Sequence, residues 1–454
     1  MVKILFSIFL SVFFCFNFVS AINISELAEL NSSNVKANGY FGTSVSISGD
    51  YVVVGAPIED APLTSSGRAY VFKRNLSDDS FYQVSELNSS NPEINGNFGT
   101  SVSISGDYVV VGVPYEDAPI SGSGRAYVFK RNLSDDSFYQ VSELNSSHAA
   151  ATGRFGDSVS ISGDYVVVGA IWEDDPLSEN GRAYVFKRNV SDDSFYEVAV
   201  LNSSNPLASG RFGESVSISG DYVVIGATWE NAPLGNSGRA YVFKRNITDD
   251  NFYEIFQLNS SNAEASGYFG ESVSISGDYV VVGATWEDAP LNQSGRAYVF
   301  KRNTSDNTFY EISQLNSSKP VEFGAFGTSV SINGDYVLVA TPYEDAPLFV
   351  SGSVYVFKRN VSDDSFDLVL ELNSSNAEVN GYFGNSVSIS GDYIVVGAHW
   401  EDAPLSNSGR AYVFKMVADS VLSLSAIGQN LPAFGFLSLV FFFVLVYFGF
   451  GNKS

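Results

Sequence analysis

Apolar positions in this chain fall in short, strand-length runs that return in a fixed order. In the first unit, Ser44 to Ser48 alternates Ser/Val/Ser/Ile/Ser. Tyr51 to Ala56 is a β-branched run, Ala69 to Lys73 a second, and Phe81 to Leu87 a fourth segment of strand formers. Between them stand Ser48-Gly49-Asp50, Glu59-Asp60-Ala61-Pro62 with Ser66-Gly67, and Asn75 to Ser80, all turn or loop chemistry. Four antiparallel strands per unit are predicted. No 3.6-residue periodicity appears between the turn signals, which argues against helical repeats.

The unit then repeats. Phe-Gly recurs at Phe41, Phe98, Phe155, Phe212, Phe269, Phe326 and Phe383, at a constant interval of 57 residues. Repeats of this length point to propellers or other arrays. Unbroken runs such as Tyr51-Val52-Val53-Val54 imply strands covered on both faces, as when blades pack around an axis. The small Ser/Val/Ser pattern suits the crowded innermost strand. The seventh unit stops at Tyr412-Val413-Phe414-Lys415 without a fourth strand, while Ile24 to Ser33 precedes the first Phe-Gly and matches the segment Val84 to Ser90. The fold class expected is therefore all-β, a seven-bladed β-propeller of four-stranded antiparallel blades, 28 strands in all, with the last blade closed by the N-terminal strand.

The two ends differ from the repeats. Residues 1–21 read as a secretory signal peptide, with an apolar stretch from Ile4 to Val19 and a small-residue site at Val19-Ser20-Ala21. Cys15, the single cysteine, lies inside it, so the mature chain is expected to carry no disulfide or thiolate metal site. The propeller is assigned to 22–417, a linker to 418–430, a C-terminal hydrophobic helix to 431–451 and a short tail to 452–454. That helix is long enough to cross a bilayer; a removable lipid-anchor signal, with small residues around Ala418 to Ser420, is the alternative. Either way the chain is expected on the extracellular face of the cell surface. A formal charge of −25 argues against a nucleic-acid partner.

Phe41-Gly42 followed by Gly55-Ala56-Pro57 resembles the FG-GAP repeat of integrin α-subunit propellers and of microbial surface proteins, over roughly residues 23 to 417. The Gly-Ala-Pro part drifts, to Gly112-Val113-Pro114 and Ala340-Thr341-Pro342 among others. The resemblance implies a ligand-binding face built from the second-to-third-strand loops and the interblade loops. It does not carry over calcium sites, because the first hairpin is only Ser48-Gly49-Asp50, too short to wrap a cation. No cofactor and no metal are assigned, and no catalytic residue.

On the face so implied, one position holds Ile58, Tyr115, Trp172, Trp229, Trp286, Tyr343 and Trp400, including all four tryptophans. Such a ring can stack on sugars or anchor a protein, or each ring can pack beneath its own loop. Beside it run acids from Glu59-Asp60 to Glu401-Asp402, with arginines such as Arg68 and Arg125 expected as in-blade partners. Blade six keeps Glu344 and Asp345 but has Ser353 where the arginine would be, which predicts an uncompensated acidic spot. The candidate ligand-binding residues are thus Tyr115, Trp172, Trp229, Trp286, Tyr343, Trp400, Glu344 and Asp345. The opposite face repeats Asp50 with Asp78-Asp79, able to hold calcium weakly or to cap a turn. Sequons recur at Asn75, Asn88, Asn132 and Asn145 among others. Two histidines remain in the mature chain, His148 and His399, with no nucleophile pattern beside them. Adhesion to an extracellular protein is the leading expectation, glycan binding the second, and a carboxylate-based hydrolase a distant third.

Overall fold

The computed structural model describes residues 22–174 and 177–418. The expected signal peptide, the rest of the linker, the C-terminal hydrophobic helix and the tail lie outside the described residues, among which no helix is long and apolar enough to cross a membrane. Ser25 to Lys415 form one compact body; of a second unit, made of the two chain ends, residues 22–24 and 416–418 are described and are in strand conformation.

The body is all-β and consists of seven four-stranded antiparallel sheets. In the first blade the strands are Val45–Ser48, Tyr51–Ala56, Arg68–Arg74 and Phe81–Leu87, paired in that order. The seventh sheet takes Ser386–Ser390, Tyr393–Ala398 and Arg410–Ala418 from the end of the chain and the strand Ile22–Leu30 from its beginning. Leu30 is buried against Val395 and Val413 in the place its repeat counterparts occupy. Arg410 forms an ion pair with Glu29 at 3.2 Å, and Asn376 donates to Glu29 at 2.8 Å. The closing strand supplied by the N-terminal segment is therefore held by core packing, charge and pairing together.

Each second and third strand is buried along its apolar run; Val52, Val53, Val54, Tyr70 and Val71 are all inaccessible. The innermost strand uses its small residues for more than fitting the taper. Val102, Ile104 and Gly106 donate their N–H groups to the hydroxyls of Ser44, Ser46 and Ser48 of the preceding blade at 2.9, 3.1 and 3.2 Å. Around the ring the contact closes, with Val45, Ile47 and Gly49 donating to Ser386, Ser388 and Ser390. Serine hydroxyls thus satisfy the backbone edge that an inner strand would otherwise leave unpaired.

The two glycines of the repeat meet between blades. A Cβ on Gly55 would lie well under 3.0 Å from the carbonyl oxygen of Gly99 in the next blade, and one on Gly99, at φ +94°, would strike the carbonyl of Arg68. Blade six departs from this. Ala340 replaces the first glycine, and the Ser353 carbonyl stands back to 3.0 Å from the position a Cβ on Gly384 would take.

Candidate functional site

Each second-to-third-strand tip is organised by a glutamate followed by an aspartate, or by Asn231 in blade four, and the two side chains face opposite ways. Asp60 is exposed and accepts the Ser65 N–H at 2.8 Å. Glu59 is buried, takes the Tyr70 hydroxyl at 2.5 Å, and Tyr70 in turn accepts from Ser32 at 3.0 Å. The same arrangement recurs at Glu116 with Tyr127 and Ser89. Burial pushes the carboxyls of Glu116, Glu173, Glu230, Glu287 and Glu401 up to about 7. The arginines tie this tip to the fourth strand of their own blade: Arg68 pairs closely with Glu86, donates to the Asp60 carbonyl oxygen at 2.6 Å and reaches Glu59 at 3.7 Å.

In blade six, where the arginine is Ser353, the two acids are separated by burial. Glu344 is buried and accepts from Tyr355 at 2.8 Å and from Ser317 at 2.6 Å. Ser353 donates to Asn373 at 2.8 Å, while Lys319 from the interblade loop pairs with Glu371 at 2.7 Å. Asp345 is exposed but spends one oxygen on the Val350 N–H of its own tip.

The aromatic positions do gather on this face, and they interleave with a second set. The residue before each Phe-Gly, namely Tyr40, Asn97, Arg154, Arg211, Tyr268, Ala325 and Tyr382, has a left-handed backbone with φ between 53° and 61°. Bulky residues rarely adopt this conformation, and its recurrence marks a position held by its surroundings. Arg154 lies over Trp172 at 3.9 Å and reaches Tyr115 at 4.9 Å. Arg211 covers Trp229 at 3.9 Å, and Tyr268 stacks on the same indole at 5.9 Å. Tyr40 stacks on Trp400, and Tyr382 meets both Trp400 and Tyr343 edge-on. Trp172 and Trp229 are consequently half-buried, while Tyr115, Trp286, Tyr343 and Trp400 remain 39, 41, 45 and 37 % exposed. His399 is enclosed by Tyr40, Tyr382 and Trp400, and burial holds its imidazole down to about 4.

Beneath this belt lie three acids that the sequence reading passed over. In blades three to five the inner strand begins early, at Phe155, Phe212 and Phe269, and a bulge before Val159, Val216 and Val273 interrupts its pairing. Bulges re-aim side chains, and here they carry Asp157, Glu214 and Glu271. Burial pushes Asp157 up to about 6 and Glu214 up to about 7, and raises Glu271. Glu214 pairs with Arg211 at 3.2 Å and accepts from Thr228; Glu271 accepts from Thr285, beside Trp286. Their signal in the sequence was the residue after each Phe-Gly, acidic in three consecutive repeats and Thr or Asn in the rest.

Blade six also changes the outer loops. Phe323 and Phe349 are 54 and 64 % exposed. Their counterparts in the other blades are polar or glycine: Asn38, Asn95, Thr152, Ser209, Ser266 and Asn380 for the first, and Thr64, Ser121, Ser178, Gly235, Asn292 and Ser406 for the second.

On the opposite face, Asp78 caps its own hairpin through Ser80, whereas Asp136 clasps two blades by taking Lys73 at 2.5 Å and the Tyr51 hydroxyl at 2.6 Å. Among the described residues no group of three or more acidic, histidine or cysteine side chains is placed to hold a metal ion.

The FG-GAP repeat family matches this chain seven times, at residues 24–72, 81–129, 138–186, 195–243, 254–300, 313–357 and 368–414. No curated protein matches its sequence. Among solved structures, a candidate 6-phosphogluconolactonase from Bacteroides uniformis is similar at 13% identity and a TM-score of 0.49, over 73% of this chain and 85% of that one.

Proposed function

The chain belongs to the FG-GAP repeat family, and from that premise we propose that it is a binding module which recognises a protein ligand outside the cell through the loop face of its propeller, centred on blade six. The observation that carries this reading is the set of exposed apolar side chains in the loops of that blade. Phe323, Tyr343, Leu348 and Phe349 are all open to solvent, with Phe323 held against the blade-five tip at Asn292 and Phe349 against the following interblade loop at Asn380. Exposed aromatics are what protein interfaces use as anchors. A seven-fold sugar-stacking ring is less well supported, because Trp172 and Trp229 already carry an arginine on their faces.

The test is selection of binding peptides from a random display library on the purified protein. Selected peptides are expected to lose binding, by about tenfold or more, when Phe323→Asn and Phe349→Ser restore the residues of the other repeats. Binding that survives both changes, or a library that yields only peptides bound to the opposite face, would contradict the proposal.

A further inference from the structure

On the face opposite the loops, lysines are held by a clasp that crosses from blade to blade, and one of them is left out of it. Lys73, Lys130, Lys187, Lys301 and Lys415 each meet an aspartate of the next blade at 2.5 or 2.6 Å: Asp136, Asp193, Asp250, Asp364 and Asp79. One carboxylate oxygen takes the lysine and the other takes a tyrosine hydroxyl and an arginine, as Asp136 does with Lys73, Tyr51 and Arg131. In blade five the aspartate is replaced by Asn307. Its amide nitrogen is a donor and cannot receive a lysine. Lys244, Tyr222 and Arg302 therefore all donate to the one amide oxygen, at 3.2, 2.9 and 3.1 Å, and Lys244 has lost its counter-charge.

Lys358 shows what the fold does when a clasp is missing for another reason. Blade seven has no hairpin between its third and fourth strands, because the fourth comes from the other end of the chain. Asp367 stands directly across from Lys358 in the neighbouring strand. At the same register position Lys244 faces Tyr253. Among the described residues, Lys244 is thus the one lysine of this set with no acid either in the next blade or across the strand.

Lys244 also borders an open pocket of about 530 Å³, a size that suits a small organic ligand. Ile247, Tyr253 and Ile255 give the pocket apolar walls. The other charged groups there are engaged: Arg245 pairs with Asp221 at 2.5 Å and with Asp250 at 2.9 Å. Asp249, on the same hairpin, takes the Tyr253 hydroxyl at 2.9 Å. An anion approaching against the formal charge of −25 has only this local cation to draw it, so contact with the apolar walls must supply much of its binding.

We propose that this pocket binds an apolar carboxylic acid, with the carboxylate on Lys244 in the role of the missing aspartate and the hydrocarbon body against Ile247, Tyr253 and Ile255. A carboxylate is the anion that the five clasped lysines already take. A free small acid and the carboxyl terminus of a peptide ending in an apolar residue both carry this chemistry. The site lies away from the loops and does not rest on the protein-binding reading of blade six.

The test is trace acetylation of the purified full chain, with the rate at each lysine read by mass spectrometry. The probe is phenylacetate, with phenylacetamide as an uncharged control of the same shape. Lys244 is expected to react about tenfold faster than the clasped lysines. Its rate is expected to fall saturably with phenylacetate and to ignore phenylacetamide, with Lys73 and Lys130 unchanged throughout. Asn307→Asp is expected to restore the clasp, slow Lys244 to the rate of the others and abolish the response to phenylacetate. Aspartate already stands at this place in five other repeats, so that variant keeps the fold. N-acetyl-leucyl-phenylalanine separates the two sources: protection at lower concentration than phenylacetate assigns a chain terminus, the reverse a free acid, and either supports the site. A Lys244 rate no higher than that of the clasped lysines, equal protection by phenylacetamide, or protection that persists in the Asn307→Asp protein overturns the inference.

Discussion

Gly55 and Gly99 touch across a blade boundary with no room for a methyl group on either, and Gly112 meets Gly156 in the same way. Gly112→Ala is therefore expected to destabilise the protein by about 1–3 kcal/mol, as overpacking of a tight contact does, measured by urea unfolding. Ala340 is the natural control, since blade six already holds that methyl by setting the neighbouring backbone back. The recurrence of both glycines was legible in the sequence, but not the reason for it, because the two partners belong to different repeats. The acids were read less well. Glu59 and Asp60 look like two surface carboxylates, and only folding separates them, when Tyr70 and Ser32 from distant segments converge on Glu59. The left-handed Arg154 and Tyr268 were likewise hidden, since nothing in a Tyr or Arg before Phe-Gly announces a positive φ.

At the scale of the strand, the inner Ser/Val/Ser/Ile/Ser segment joins the blades through side chain to backbone bonds. Ser46→Ala removes the acceptor of the Ile104 N–H and is expected to cost about 0.5–1.5 kcal/mol; Ser46→Thr, which keeps the hydroxyl, is expected to cost less. An equal loss in both, by chemical denaturation, would mean that packing and not the hydrogen bond is what matters there. Strand number, order and the closing N-terminal strand were all legible, because alternation, turn residues and a missing seventh segment each have a local signature. The bulges of blades three to five were not. An acid following Phe-Gly reads as loop chemistry until the early start of the inner strand at Phe155, Phe212 and Phe269 places it under the aromatic belt.

For the molecule as a whole, buried acids and clasping acids work in opposite pH ranges. Glu116, Glu173, Glu230, Glu287 and Glu401 bind their protons more tightly when folded, with values near 7 against an ordinary 4.5. Their stabilisation is complete below about pH 4.5 and is lost as pH rises through about 7. Asp136, Asp193, Asp250 and Asp364 are held down to about 2, first by the lysine of the preceding blade. Their contribution is complete above about pH 4 and is lost as pH falls towards about 2. The thermal midpoint is therefore expected to be highest near about pH 5 and to fall by several degrees on either side, by about pH 8 and by about pH 2.5. A midpoint that rises steadily from about pH 5 to about pH 8 would show that the buried glutamates are charged and compensated.

The proposed binding site lies on the loops of blade six, and amide hydrogen exchange with a selected peptide bound tests that most directly. Protection is expected in the blade-six segments 321–326 and 343–350, with the equivalent segments of blades one to four unchanged. Protection spread evenly over all seven blades, or confined to hairpins such as 75–80 on the opposite face, would contradict the account.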